Sequence, residues 1–366
     1  MARSVPASAA DFLTASYDYP LPPDHIAQTP ACPRDQARLL VIQSQGHHHS
    51  HFYNLPEWLQ PGDLLVLNDT RVIPARLYGH KVTGAQIEIL LLEPQTQDPT
   101  QLSSTWLCLV KPGRRVRVGD QLQFAQGLTA QVLASDPETG GRILAFSWPD
   151  GIPFERVLEQ VGEMPLPPYI TSRESTASDY QTIWAKTAGS VAAPTAGLHF
   201  TPELLQALQT KGIETAFVTL RVGLGTFRPV ETEEILAHQL HREWLQVPAA
   251  TVEAIQQTRQ RGGRVIGVGT TVARALESAA QQGSQPQQKE GKLQAWQGYS
   301  TLFIYPGYEW QVLDGLITNF HLPRSSLMMM ISALTGRERL LSLYAEAIAQ
   351  DYRFYSFGDG MFILPN

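Results

Sequence analysis

The sequence is poor in the features that mark several common protein classes. Only two cysteines occur in 366 residues, Cys32 and Cys108, without paired spacing. They build neither a disulfide framework nor a thiolate zinc site, and a reducing compartment is expected. Charged residues make up 17% of the chain and the formal net charge is -6 at pH 7. That balance excludes an indiscriminate nucleic-acid coat, although an acidic body can still carry a basic face. The longest apolar run, around SLMMMISAL, is far short of the ~20 residues that cross a bilayer. The opening MARSVPASAA has no apolar core after its arginine, so no secretory leader is read there. A cytoplasmic, water-soluble monomer with no membrane partner is the expectation. No GxGxxG, Walker or HExxH sequence occurs, so neither a nicotinamide dinucleotide, nor ATP, nor a catalytic zinc pair is indicated.

What is present is apolar material, at 43% hydrophobic residues, enough for a sizeable core. The length suggests two domains. Residues 1–62 are rich in Pro and His. The stretch 63–150 then reads as short strands punctuated by Gly, Pro and Asp, beginning with the apolar run Leu64 to Leu67 and including AQIEILLLE, STWLCLVKPG and RVRVGDQLQF. That pattern predicts a small all-β, barrel-like module. After 151 the chain alternates helices with strands, as in TPELLQALQTKGIETAFVTLRVG and TVEAIQQTRQRGGRVIGVGTT. Such alternation predicts a largely parallel sheet. The expected architecture is α/β: a large α/β barrel-like domain from 1–62 and 151–366, with a small β-barrel domain inserted at 63–150. The polar segment QQGSQPQQKEGKLQ reads as a surface loop.

In α/β folds, sites collect where strands end and helices begin. Four such junctions have unusual composition. In VAAPTAGLHF, residues 191–200, Thr195, Gly197 and His199 fall in a short turn, and Thr201 with Pro202 specifies the start of a helix whose amides favour an anion. In TLRVGLGTFRPV, Gly223, Gly225 and Thr226 permit close backbone approach to a ligand. Downstream, His238 and His241 precede Glu243, and solvated or hydrogen-bonding roles fit them better than metal. In RVIGVGTTVARALES, a buried strand runs into Gly269, and Thr270 or Thr271 caps a helix carrying Arg274 and Glu277. Those two can pair with each other at i, i+3 or serve a ligand at the helix start. In LITNFHLPRSSLMMM, Asn319 and His321 follow a strand, Ser325 or Ser326 caps a helix, and the methionines fill the core.

Two further tracts stand out. HHHSH, residues 47–51, looks like a metal tract but falls where a hairpin tip is expected, and no metal is assigned to it. KPGRRVRVGD gathers Lys111, Arg114 and Arg115 in the β module, the best candidates for phosphate-backbone contact.

Taken together, GDLLVLNDTRVIPARL, GEMPLPPYI, VAAPTAGLHF, VGLGTFRPV, VGTTVARALES, FIYPGYEWQVLDGLITNFHLPRSSL and YRFYSFGDGMFI resemble the S-adenosylmethionine:tRNA ribosyltransferase-isomerases of queuosine biosynthesis. The resemblance covers nearly the whole chain. It implies a large α/β barrel-like domain with a small β-barrel domain. It also implies transfer of the ribosyl group of S-adenosylmethionine to a 7-aminomethyl-7-deazaguanine at the tRNA wobble position, giving epoxyqueuosine with loss of adenine and methionine. S-adenosylmethionine is then a co-substrate, and no other cofactor is implied. One departure is visible: the family usually reads LHVG where this chain has Leu220-Arg221-Val222-Gly223. An arginine cannot act as a base at neutral pH.

Such chemistry needs a base for the hydrogens beside the sulfonium and for the acceptor amine, in a water-poor pocket. His199, His321 or His241 is expected to be that base, with Asp69 or Glu277 orienting or assisting. Asn68, Thr70, Arg71, Thr195, Gly197, Gly223, Gly225, Thr226, Gly269, Thr270, Thr271, Arg274 and Asn319 are expected to bind substrate. Ordinary methyl transfer, or an RNA-binding module without catalysis, are the alternatives. The first would produce S-adenosylhomocysteine and the second would leave S-adenosylmethionine intact.

Overall fold

The computed structural model describes residues 5–96, 103–149, 151–172, 176–223, 230–283 and 293–364. The chain forms two compact units: one comprises Met1–Thr70, Pro168–Thr187 and Ala193–Asn366, the other Arg71–Pro167 and Ala188–Ala192.

The larger unit is built on a nine-stranded sheet. Its order is Trp296–Ser300, Glu243–Val247, Glu214–Leu220, Leu64–Asn68, Val265–Val268, Gly315–Asn319, Gly360–Leu364, Arg38–Gln43 and His47–His51. The centre is parallel: Leu65 pairs with Thr215 on one side and Ile266 on the other, and Ile266 with Gly315. Leu64–Asn68 is buried at every position, as are Val265–Val268 and Gly315–Asn319. Strands covered on both faces read as continuous apolar runs. For that reason Leu64–Asn68 belongs to the large sheet and not to the β module where the sequence reading put it, and the boundary at 62/63 moves to 70/71. The second boundary moves as well, since the helix Phe154–Val161 lies in the smaller unit.

Helices Pro202–Thr210, Ala249–Gln260, Thr270–Gly283 and Ser326–Thr335 alternate with these strands, as the pattern predicted. One core layer joins Leu39, Val41, Phe52, Leu65, Leu67, Phe200, Ile266, Val268, Ile317 and Phe362, all nearly inaccessible to solvent. The three methionines 328–330 are buried and fill the core.

The smaller unit is a closed barrel of six strands. Arg76–Lys81, Gln86–Thr96, Ser103–Lys111, Arg142–Ser147, Thr129–Ser135 and Gln121–Phe124 pair in that order. Pairing of Gly79 with Phe124 and Lys81 with Leu122 closes the ring, and the short strand Gly162–Glu163 pairs with Arg76–Lys81 beside it. The strand Gln121–Phe124 alternates exposed and buried positions, as a half-buried strand must. The α/β fold with an inserted small β-barrel is therefore as expected. Among the described residues no helix is long and apolar enough to cross a membrane. Cys32 and Cys108 are both free.

Candidate active site

The carboxyl ends of Leu64–Asn68, Val265–Val268 and Gly315–Asn319 lie side by side in the central sheet. There the larger unit holds a cavity that opens to solvent. Ligands of open α/β sheets bind at this end of the strands. The wall comes from distant parts of the chain: Pro194 to Ala196, Gly269 to Thr271, Thr318 to Leu322, with Tyr169, Tyr355 and Ser356.

Gly269 opens the helix Thr270–Gly283 with φ of 97°, a conformation that favours glycine. Thr270 is the first helical residue, so its amide is among the four that lack an intrahelical acceptor. The cavity thus has a helix start in its wall. A second helix, Ser326–Thr335, begins beside it with Ser325, whose hydroxyl accepts from Met328 N at 3.3 Å.

Asn319 organises the next layer. Its Nδ2 donates to the carbonyl of Tyr355 at 3.1 Å, which fixes the orientation of the amide because a carbonyl only accepts. The same nitrogen lies 3.1 Å from His199 Nε2, which must therefore be an unprotonated acceptor. Thr195 Oγ1 donates to Asn319 Oδ1 at 3.1 Å. The His199 ring stacks on Phe52 with centroids 4.1 Å apart. Burial first, then Arg353 and Arg34, lower its pKa to about 3, so it is neutral. His199 is thus behind the cavity wall, buttressing Asn319, and does not line the cavity itself. Gly197, expected to approach a ligand, is instead required by packing: a Cβ would stand 2.8 Å from both Thr182 Cγ2 and Trp184 Cζ2.

His321 does line the cavity. Its Nε2 is 2.9 Å from Thr318 Oγ1. Its backbone is clamped at both ends, the amide donating to Tyr344 Oη at 3.0 Å and the carbonyl accepting from the Tyr19 hydroxyl. Burial lowers the pKa of His321 to about 3. A buried imidazole is more stable uncharged. With Nε2 engaged by Thr318, Nδ1 is the ring nitrogen left for a substrate.

Other cavity residues were not singled out in the sequence. Tyr169 bonds Ser356 at 2.6 Å and burial pushes its hydroxyl up to about 12. Tyr355 has φ of 70°, uncommon for a bulky residue and concentrated at functional sites. Both lie in GEMPLPPYI and YRFYSFGDGMFI, segments that carried the resemblance, but no local pattern marked either tyrosine.

Several expected site residues have different surroundings. Asn68 is buried and saturated: Nδ2 donates to Leu220 O and Thr271 Oγ1, while Oδ1 accepts from the amides of Thr70 and Leu220, all within 3.2 Å. It pins strands to a helix and leaves no group for substrate. Asp69 accepts from Thr219 at 2.6 Å and Thr187 at 3.1 Å. Thr70 donates to Thr187 O at 3.5 Å, and Arg71 faces Glu159 at 3.7 Å. Arg274 pairs with Glu243, not with Glu277. Glu243 also holds Gly223 N at 3.1 Å. Glu277 accepts the amides of Gln311, Val312 and Leu313 and the Tyr308 hydroxyl, all within 3.1 Å. Burial raises its pKa against those hydrogen bonds. His241 is exposed. None of these residues except Thr271 lines the cavity. Gly225 and Thr226 lie outside the described residues. Arg221 places its guanidinium 4.5 Å from the Trp244 ring.

In the barrel, Lys111, Arg114 and Arg115 are exposed, and among the described residues none forms an ion pair. Their turn is held from beneath by Arg142, which donates to Val116 O and Gly113 O, each at 3.1 Å.

The queuosine biosynthesis protein family matches residues 14–363. The chain is 57% identical over 362 residues to the S-adenosylmethionine:tRNA ribosyltransferase-isomerase of Gloeobacter violaceus, covering 99% of both chains. It is 57% identical over 367 residues to the protein of that name from Acaryochloris marina, covering 98% of this chain and 96% of the relative. The crystal structure of S-adenosylmethionine tRNA ribosyltransferase from Thermotoga maritima is similar with a TM-score of 0.53 and 38% identity, over 95% of this chain and 100% of that one.

Proposed function

Since the chain belongs to the queuosine biosynthesis protein family and is a transferase-isomerase enzyme, we propose that it moves the ribosyl group of S-adenosylmethionine onto the aminomethyl group of 7-aminomethyl-7-deazaguanine at the tRNA wobble position. The sugar is rebuilt as an epoxycyclopentane, giving epoxyqueuosine in the tRNA. Adenine and methionine are the leaving groups, and the transfer needs no redox partner.

The observation that carries this reading is the cavity itself, which holds a neutral imidazole, an immobilised amide and a helix start in one wall. A sulfonium is a cation, and an uncharged His321 does not repel it. The helix start at Thr270 suits the methionine carboxylate. Thr318 offers a hydroxyl hydrogen, and Thr195 Oγ1 and Asn319 Oδ1 keep acceptor capacity, for ribose hydroxyls or the adenine edge. His321 Nδ1 takes the proton from the carbon beside the sulfonium, or from the attacking amine. Thr318 accepting from Nε2–H would hold the tautomer that base duty requires. His199 acts one layer out, by keeping Asn319 in place. Lys111, Arg114 and Arg115 contact the phosphates of the anticodon arm, and the modified base is splayed out of the stack.

The test is product analysis. The protein is incubated with S-adenosylmethionine and a tRNA carrying the aminomethyl base, and the small molecules are separated by chromatography. Equal amounts of adenine and methionine are expected, with a matching mass gain in the tRNA. S-adenosylhomocysteine would identify methyl transfer instead. Intact S-adenosylmethionine beside bound tRNA would leave only a binding protein.

A further inference from the structure

The tract His47–His51 is not the tip of a hairpin. The tip is Ser44 to Gly46, closed by Gln43 N donating to Gly46 O at 3.2 Å. The histidines form the last strand in the order of the large sheet, antiparallel to Arg38–Gln43. Side chains alternate along a strand, so His47 and His49 share a face that His48 does not. His48 lies on the other side with its ring 5.3 Å from that of Trp58.

The face of His47 and His49 meets Glu346, in the last turns of helix Arg337–Ala349. Glu346 Oε1 lies 2.9 Å from His47 Nε2 and 3.0 Å from His49 Nε2. Three potential ligand atoms converge, all within 4.8 Å of one another. We propose that His47, His49 and Glu346 form a binding site for a divalent transition-metal ion of the zinc class, with water completing the coordination.

The donor set is chemically apt. Two imidazoles and one carboxylate suit Zn²⁺ with an open position, and Ni²⁺ and Cu²⁺ as well. Metal-bound imidazoles present one nitrogen to the ion and have the other held by an outer partner. His49 is built this way, with Nδ1 2.8 Å from the Tyr352 hydroxyl. Tyr352 is fully buried, and the Arg38 guanidinium lies 3.9 Å over its ring, so this partner is fixed. The three ligand side chains are each about one-third exposed, open enough for an ion to enter from solvent. Ligand atoms each about 2.1 Å from one ion stand farther apart than the present 2.9 and 3.0 Å, so the carboxylate shifts outward on binding, and Gln350 Nε2, now 3.2 Å from His49 Nε2, gives up that contact. None of the three residues lines the catalytic cavity. The ion would tie the outermost strand to the last long helix, a stabilising role and not a chemical one.

The experiment uses the full-length, untagged chain after chelation, titrated with Zn²⁺ alone by calorimetry and followed by thermal melting. One Zn²⁺ per chain with micromolar or tighter affinity is expected, with a rise in Tm. His49→Ala and Glu346→Gln should each weaken binding at least tenfold and abolish the Tm rise. His48→Ala should bind as the native chain does. Circular dichroism at low temperature checks that each variant is folded, and Glu346→Gln keeps the side-chain volume should His49→Ala fail to fold. No uptake by the native chain at millimolar Zn²⁺ overturns the site. So does unchanged binding in either His49→Ala or Glu346→Gln, or loss in His48→Ala.

Discussion

Asn319 Nδ2 donates to His199 Nε2 at 3.1 Å, so one hydrogen bond couples a cavity residue to a buried imidazole behind it. Asn319 also bonds the Tyr355 carbonyl and Thr195, which ties three chain segments to one amide. Asn319→Ala strands a buried ring nitrogen, a carbonyl and a hydroxyl. A buried polar group without a partner costs about 1–3 kcal/mol, so a loss of roughly 3 kcal/mol or more is expected in urea unfolding. Ribosyl transfer should fall as well. A variant with native stability would show that the network relaxes without this amide.

The neutrality of His199 has a pH signature. Its folded pKa is about 3 against an ordinary 6.5. Between those values the unfolded chain binds a proton that the folded chain refuses. The stabilisation is therefore complete above pH 6.5 and is lost as pH falls toward 3. The slope is about 1.4 kcal/mol per pH unit for this group. His321 adds a similar term. In urea unfolding at pH 7 and pH 5, His199→Gln should lose less stability on acidification than the native chain, by about the integral of that slope. Equal losses in the two proteins would mean that His199 is not held neutral.

Much of this arrangement was legible locally, and the illegible part is the long-range part. The Thr201 cap was readable from Thr-Pro-Glu alone, and its hydroxyl does accept from Leu204 N at 3.1 Å. The alternation of helix and strand gave the α/β unit, because periodicity is set by neighbouring residues. The run of Leu64 to Leu67 could not reveal its sheet, since a buried strand reads the same in either unit. Arg274 and Glu277 looked like partners at i, i+3, yet each answers to a segment some thirty residues away. Tyr169 and Tyr355 enter the cavity from opposite halves of the chain, and no spacing rule joins them.

The three histidines expected to compete for base duty now separate. His321 lines the cavity, His199 lies behind it and His241 is exposed. In single-turnover assays, His321→Ala should slow product formation by about 10²–10⁴, the usual worth of a general base. His241→Ala should react at the native rate. Binding of S-adenosylmethionine should persist in both, which separates chemistry from recognition. Native-rate turnover by His321→Ala would remove it from the reaction.

Lys111, Arg114 and Arg115 project from a turn that Arg142 holds in place, so their neutralisation should leave the barrel folded. Replacing all three by Gln should weaken tRNA binding. It should also reduce the slope of log K against log salt by about 0.7–0.9 for each phosphate that is no longer neutralised. Filter binding across a salt series measures this. An unchanged slope would exclude the three from the RNA interface.

Glu277 distinguishes a structural carboxylate from a catalytic one. It is fully buried, and both oxygens accept from the loop Tyr308 to Leu313. An amide in its place turns one acceptor into a donor that faces donors. Glu277→Gln should therefore destabilise the larger unit by about 2–3 kcal/mol, the cost of buried amides left unpaired. The group lies outside the cavity lining. At a temperature where the variant is folded, its single-turnover rate should then stay within a few-fold of native. A rate loss of the size expected for His321→Ala, at full folding, would instead give Glu277 a part in the reaction, as the sequence had suggested.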